Sequence, residues 1–281
     1  MIRASSLHRI TTNKPFFDAK AFGKLNAEFK EKVEKKKLVF AEGNTFAESM
    51  LITPGLKTIA EKVVKALKDK QLVINDPLPD GAKTALQELY LDLNYGFYNM
   101  SMNDSDPALR KGILAEDDSI ATLGEHLGLT FVNNKERKSN EIGFLTGEAD
   151  ILHEQTVRDI KTPLNWTTFR KKDGIESAYH WQLVAYCLLY GKTEAFLDYV
   201  LMPMPPEMIG DMIKYMSPIS AEKFVNYNAK IGKMDTKMRI KTYQVEPKKL
   251  LQDMEFAKKR LVKAKAYYET LSYDICMKMV I

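Results

Sequence analysis

The stretch GEADILHEQTVRDIKT, residues 147–162, constrains this chain more than any other. Two alternating runs flank Glu154 and Gln155, a pattern that predicts a short antiparallel hairpin. Residues two apart in a strand share a face, so Asp159 and Lys161 point one way while Arg158 and Ile160 point the other. With Glu154 and Gln155 as the turn, Asp150 falls opposite Asp159 on that same face. Glu-Gln lacks the Gly or Asn that tight hairpin turns prefer, and a bulge would shift this register. Two carboxylates about 4 Å apart repel by roughly 1 kcal/mol in water and by about 4 kcal/mol at an effective dielectric of about 20. Opposed like charges therefore need compensation. Lys161 supplies one positive charge, whereas a divalent cation that favours hard oxygens, as magnesium does, supplies two. The plain alternative is an exposed hairpin face carrying a salt bridge between Asp159 and Lys161.

Two further stretches bear on that choice. In DPALRKGILAEDDSIATLGEHLG, Ile113, Ile120, Leu123 and Leu127 form an apolar stripe at helical spacing, and Glu116 falls within it. A carboxylate on a buried face needs a partner, because desolvating an unpaired charge costs several kcal/mol. Glu116 is thus either a third acid converging on the hairpin or a stripe-edge residue reaching solvent. The stretch SAYHWQLVAYCLLYG is apolar on nearly every side, which predicts a helix buried against a sheet. Gln182 and Tyr186 stand four apart on one face of it. They either brace an active site and touch a phosphate, or are a core amide and a packed phenol.

The remaining sequence sets bounds. At 281 residues the chain has ample length for a core, and 45% hydrophobic with 28% charged residues suits an ordinary soluble protein. No apolar run approaches the roughly 20 residues that span a bilayer, and no apolar segment follows the basic N-terminal residues, so a cytoplasmic location without membrane attachment is expected. Two distant cysteines, Cys187 and Cys276, support neither a zinc site nor an iron-sulfur cluster. A net charge of +5 tolerates a polyanionic partner without identifying one. The lysine-rich runs KEKVEKKK and AKKRLVKAKAYYE read as solvated helix faces. With no convincing linker, residues 1–281 are expected to form one elaborated domain. Residues 1–104 read as a mainly helical lobe, with helices from Thr58 to Asp69 and from Gly81 to Tyr98 around the turn NDPLPDG. Residues 105–205 read as an α/β core, and residues 206–281 as a strand, MRIKTYQV, and helices, the last beginning near Pro247.

Taken in order, RKGILAE ending in Glu116, GEAD ending in Asp150, DIK at Asp159 to Lys161 and QLVAY from Gln182 to Tyr186 resemble the motifs of the PD-(D/E)XK nuclease superfamily. The likeness is to its RecB-like and lambda-exonuclease-like (YqaJ viral recombinase) branch, and it spans roughly Ala108 to Leu201. Ala149 stands where the superfamily name has Pro, and LPDG at Pro79 and Asp80 has no D-x-K hairpin after it at a workable distance. The resemblance implies a restriction-endonuclease-like core, a central mixed β-sheet flanked by helices, with helical elaborations at both ends.

It also implies chemistry. Glu116, Asp150 and Asp159 are expected to ligate Mg²⁺, with Mn²⁺ able to substitute and the Ile160 carbonyl as a further ligand. Lys161 is expected to orient or activate the attacking water, with Gln182 and Tyr186 supporting the site or the DNA beside it. In that branch an Arg and a Ser near the N-terminus hold a DNA-end phosphate, which singles out Arg3 and Ser5; an N-cap serine is the alternative. NWTTFRKKDG, in the loop leaving the catalytic strand, offers Arg170, Lys171 and Lys172 for phosphates and Trp166 or Phe169 for stacking, or is a plain surface loop. The four histidines have no role in this mechanism. The expected function is a Mg²⁺-dependent DNA exonuclease of phage-type recombination or end processing, acting on DNA with a free end, in the host cytoplasm if viral. A single-strand annealing protein and further copies of the chain are the expected protein partners. An endonuclease on the same core and a catalytically silent DNA-binding recombination partner are the alternatives.

Overall fold

The computed structural model describes residues 1–11, 18–35, 54–96 and 106–278. The chain divides into two compact units, one of Met1–Thr12 with Asp80–Ile281 and one of Asn13–Pro79. Hence the N-terminal dozen residues and the helix from Asp80 pack with the α/β unit, and the boundary does not fall near residue 104. Among the described residues no helix is long and apolar enough to cross a membrane.

In chain order the elements are β1 (Ile2–Arg3), a 3₁₀ turn (Ala4–Ser6), α1 (His8–Thr11), α2 (Ala19–Lys35), α3 (Pro54–Asn75), α4 (Asp80–Tyr95), α5 (Pro107–Leu114) and α6 (Glu116–Leu127). There follow β2 (Lys138–Ser139), β3 (Leu145–Gly147), β4 (Ile151–His153), β5 (Thr156–Lys161), α7 (Trp166–Arg170), α8 (Ser177–Tyr190) and β6 (Glu194–Val200). The chain closes with α9 (Pro206–Ile213), α10 (Pro218–Lys233), α11 (Thr236–Arg239), β7 (Ile240–Gln244), α12 (Pro247–Tyr268) and α13 (Tyr273–Lys278). The smaller unit holds the helices α2 and α3, which bury Phe29, Ile59, Ala60 and Val63 together.

In the larger unit a four-stranded mixed sheet runs β4-β5-β6-β7, with β5 and β6 parallel and the outer pairs antiparallel. A parallel pair needs a crossover, and α7 and α8 supply it. Strand alternation gives the sheet two different faces. Ile160, Val200 and Ile151 pack beneath Ile120 and Leu123 of α6 on one face. On the other, Gln182 of α8 reaches Asp159, so the nearly all-apolar α8 covers the face that bears the hairpin's charges. A second, three-stranded sheet of order β1-β3-β2 brings the N-terminus alongside the strand that leads into GEAD.

Three local readings change. The helix expected across Pro107–Gly128 breaks at Ala115 (φ −104°, ψ 10°) into α5 and α6. The break rotates α5 out of the stripe: Ile113 is 64% exposed and Leu127 37%, leaving Ile120 and Leu123 buried. The loop after β5 contains a helix, α7, because Asn165 and Thr168 form a reciprocal cap of its first turn. The AKKRLVKAKAYYE run is not simply a solvated face, since Ala257, Arg260, Leu261 and Ala264 of α12 are buried.

Lys111 of α5 is fully buried, yet its ammonium is satisfied. It donates to the carbonyls of Pro163 (2.9 Å), Leu164 (3.1 Å) and Met202 (2.6 Å), three acceptors for three donors. Burial pushes this amine down to about 8. The contact ties α5 to the segment leaving β5.

Gly147 explains the first letter of GEAD. A Cβ there would meet Ala4 Cβ at 2.7 Å, Leu189 Cδ1 at 3.0 Å and Tyr186 Cε1 at 3.1 Å. Gly147→Ala is therefore expected to destabilise the protein by about 1–3 kcal/mol through overpacking. Urea unfolding measures it; an unchanged midpoint would show that β3 yields freely.

Candidate active site

The hairpin turns on Glu154, whose φ of +48° is the left-handed conformation a two-residue turn demands despite the absence of Gly or Asn. No bulge intervenes. Ile151 pairs with Arg158, Leu152 with Val157 and His153 with Thr156, the register expected from the turn. One step further Asp150 reaches its neighbour strand, where its Oδ2 accepts the Ile160 N–H at 2.6 Å. Asp159 Oδ1 accepts from Gln182 Nε2 at 3.2 Å, and Gln182 donates also to Tyr186 Oη at 2.7 Å. Asp159 Oδ2 faces Lys161 Nζ at 2.6 Å but accepts no well-oriented hydrogen bond. Lys161 Nζ in turn lies 5.1 Å from the centre of the Tyr179 ring.

Glu116 opens α6, at the break after Ala115 rather than inside a buried stripe. Its Oε1 accepts from Asn133 Nδ2 at 2.8 Å and stands 3.5 Å from Lys135 Nζ. One cavity of about 590 Å³ is lined by Glu116, Asp150, Asp159, Ile160, Lys161 and Gln182 together. Residues up to 66 positions apart in the chain thus share one wall-lined space.

Electrostatics in the cavity is dominated by burial and mutual repulsion. Burial, then the Asp159 charge, raises the Asp150 carboxyl to about 7, against relief from Lys161 and the Ile160 N–H. Burial raises Asp159 as well; Lys161 opposes the shift and Glu116 adds to it. For Lys161, burial would lower the amine, but the charges of Asp159 and Asp150 outweigh it and hold the amine above its ordinary value. Burial raises Tyr186 far above the ordinary phenol range.

Among the described residues no three His, Cys, Asp or Glu side chains already stand as a metal-ligating cluster. Each carboxylate is instead drawn to a protein donor: Glu116 to Asn133, Asp150 to the Ile160 N–H, Asp159 to Gln182 and Lys161. The donor set nonetheless fits a hard divalent cation. Three acids line the cavity, all of them oxygen ligands, and buried Asp159 Oδ2 meets only the Lys161 ammonium, at 2.6 Å.

By sequence, no family model and no curated protein matches the chain. Among solved structures, a phage-related exonuclease from Haemophilus somnus 129PT is similar over 99% of this chain and 96% of its own, at 20% identity and a TM-score of 0.59. The chain has the fold of that exonuclease. An alkaline exonuclease from Laribacter hongkongensis matches 68% of this chain and 83% of its own, at 14% identity and a TM-score of 0.44.

Within this fold the outlying candidates separate. Arg3 and Ser5 line a second concavity of about 310 Å³ with Arg137, Gln182 and Tyr186, so Gln182 borders both spaces. Ser5 is no N-cap: the short turn it belongs to has Arg3 at that position and no side-chain cap. Lys172 lines the main cavity, whereas Trp166, Arg170 and Lys171 do not. Trp166 packs toward Phe169 at 5.7 Å between ring centres, and Arg170 and Lys171 are exposed. Of the histidines, His180 pairs with Asp253 at 2.8 Å, away from the carboxylates. Sequence reasoning passed over Lys111, Asn133, Tyr179 and Tyr199. Their roles come from contacts far along the chain, and only the Asn-Asn pair at 133 and 134, polar punctuation before the sheet, signalled anything locally.

Asp150 generates a prediction with a defined sign. Its folded value of about 7 lies above its ordinary 3.8, so the folded state holds this proton more tightly and loses stability as pH rises from about 4 to about 7. In metal-free protein Asp150→Asn should therefore gain about 1–3 kcal/mol at pH 8, with a smaller gain at pH 5. Thermal melts at the two pH values measure this, and a variant no more stable than wild type at pH 8 would refute it.

Proposed function

We propose that the chain is a Mg²⁺-dependent deoxyribonuclease on a PD-(D/E)XK core, an exonuclease hydrolysing phosphodiester bonds at DNA ends in phage-type recombination or end processing. The observation that carries this reading is the single cavity lined by Glu116, Asp150, Asp159 and Lys161, with Lys161 on the strand that bears Asp159. The exonuclease fold agrees with it.

In this reading Glu116, Asp150, Asp159 and the Ile160 carbonyl hold Mg²⁺, or Mn²⁺ in its place. Bound there, the cation supplies Lewis-acid activation of water and offsets charge on the phosphate. Lys161 acts as a permanent cation. With its amine held above the ordinary value it remains protonated at neutral pH, so it orients water and faces the phosphoryl oxygens rather than removing a proton. Gln182 fixes Asp159 through one hydrogen bond and Tyr186 through another, which sets the carboxylate's rotamer. Arg3 and Ser5 line the neighbouring concavity with Gln182, and in this reading they hold the phosphate of a DNA end.

The test is degradation of linear and covalently closed circular duplex DNA with Mg²⁺ or EDTA. Wild type is expected to consume only the linear form, only with Mg²⁺. Asp159→Ala and Lys161→Ala should each lose about 10²-fold or more in rate while still binding DNA, because phosphate contacts are spread over many basic residues. Cleavage of the circle would move the assignment to an endonuclease, and full activity in a folded Asp159→Ala variant would remove the site.

A further inference from the structure

Beyond the three acids and Lys161, the main cavity is lined by Lys172, Tyr179 and Tyr199. Its position follows from register. Lys161 of β5 pairs with Tyr199 of β6, and Tyr199 pairs with Lys241 of β7, so all three side chains leave the same face of the sheet. Tyr199 is 1% exposed, and its Oη has no hydrogen-bond partner. A buried hydroxyl left unpaired costs about 1–3 kcal/mol, so its retention on a cavity wall calls for a partner from outside the chain.

Lys172 supplies the complementary charge. Its Nζ lies 5.5 Å from the centre of the Tyr199 ring. The backbone at Lys172 is held by β7, its carbonyl accepting from Lys241 Nζ at 2.7 Å and from Tyr243 Oη at 3.2 Å. The ammonium pairs at 2.5 Å with Glu176, whose side chain is 58% exposed. An ion pair to such an exposed carboxylate is worth little, and an anion entering the cavity displaces it at small cost. Tyr199 and Lys172 thus offer a hydrogen-bond donor and a cation to an anion that displaces the exposed Glu176.

We propose that Tyr199 Oη and Lys172 Nζ form a phosphate subsite, taking the phosphate next to the scissile one on the DNA strand being cut. The proposal rests on the nuclease reading. It assigns the scissile phosphate to Glu116, Asp150 and Asp159 and a neighbouring phosphate to Tyr199 and Lys172, so that productive binding spans two phosphates.

Steady-state cleavage of linear duplex by wild type, Tyr199→Phe and Lys172→Gln, together with melting curves, tests it. Tyr199→Phe keeps the ring and removes only an unpaired hydroxyl, so its Tm is expected to equal or exceed that of wild type. Its KM should rise about tenfold, with the loss in KM rather than kcat, as expected for a hydrogen bond to a charged group. Lys172→Gln should raise KM and reduce the slope of log KM against log salt concentration by about one. An active wild type with KM unmoved in both variants would overturn the subsite alone. A lowered Tm in Tyr199→Phe would overturn it too, by revealing a protein partner for the hydroxyl. A wild type inactive on every DNA form would instead remove the nuclease reading beneath it.

Discussion

The hydrogen bond from the Ile160 amide to Asp150 Oδ2 is the contact on which the site depends. It fixes a carboxylate at the start of one strand against the backbone of the next, one residue from Asp159. Without it, repulsion between two largely desolvated acids would push Asp150 toward solvent. With it, both carboxyls stay buried: burial raises each of them, the Asp159 charge raises Asp150 further, and the two charges together hold Lys161 firmly protonated. An acid pair already neutralised by the protein would have nothing left to offer a cation, whereas this one keeps part of its charge unanswered.

That concentration of charge is tolerated because its surroundings are rigid. Lys111 spends all three donors on carbonyls of the segment leaving β5 and of the chain just past β6. Gly147 lets β3 lie against Ala4 and α8 at distances no side chain permits. Gln182 links Asp159 to Tyr186 across one turn of α8. A frame tied at several points resists the rearrangement by which like charges would otherwise separate.

Much of this was legible in the sequence where the cause was local. The period of two in residues 150–161 set the face and register of the hairpin, and the structure keeps both. The apolar character of SAYHWQLVAYCLLYG placed α8 to the boundary residue. What failed was continuity: Glu116 was read inside an unbroken stripe, yet Ala115 interrupts the helix and Ile113 turns outward. Nothing in Leu-Ala-Glu signals a break, since all three residues favour helix. Nothing in the sequence marks Lys111, because its acceptors lie about 50 to 90 residues downstream and are backbone carbonyls, which carry no sequence identity. The N-terminal segment was assigned to a helical lobe for the same reason: β1 is two residues long, and its parallel pairing with β3 is a tertiary event.

The neighbouring strands hold a comparison that separates structural from functional burial. Asp198 of β6 is fully buried, like Asp159 of β5, and burial raises both. Asp198 sits on the opposite face, where Arg158 donates to both its oxygens at 3.0 and 2.8 Å and Thr242 Oγ1 adds a third bond at 2.6 Å. Its charge is answered within the chain, and Arg158 is further stacked 4.3 Å from the centre of the Phe196 ring. Asp159 has one hydrogen bond from Gln182 and a single cation beside an oxygen that lacks a well-oriented donor. Two buried aspartates of the same sheet thus differ in how completely the protein satisfies them. The complete one fixes the sheet, and the incomplete one, facing a cavity with two further acids, is the one left with capacity to bind.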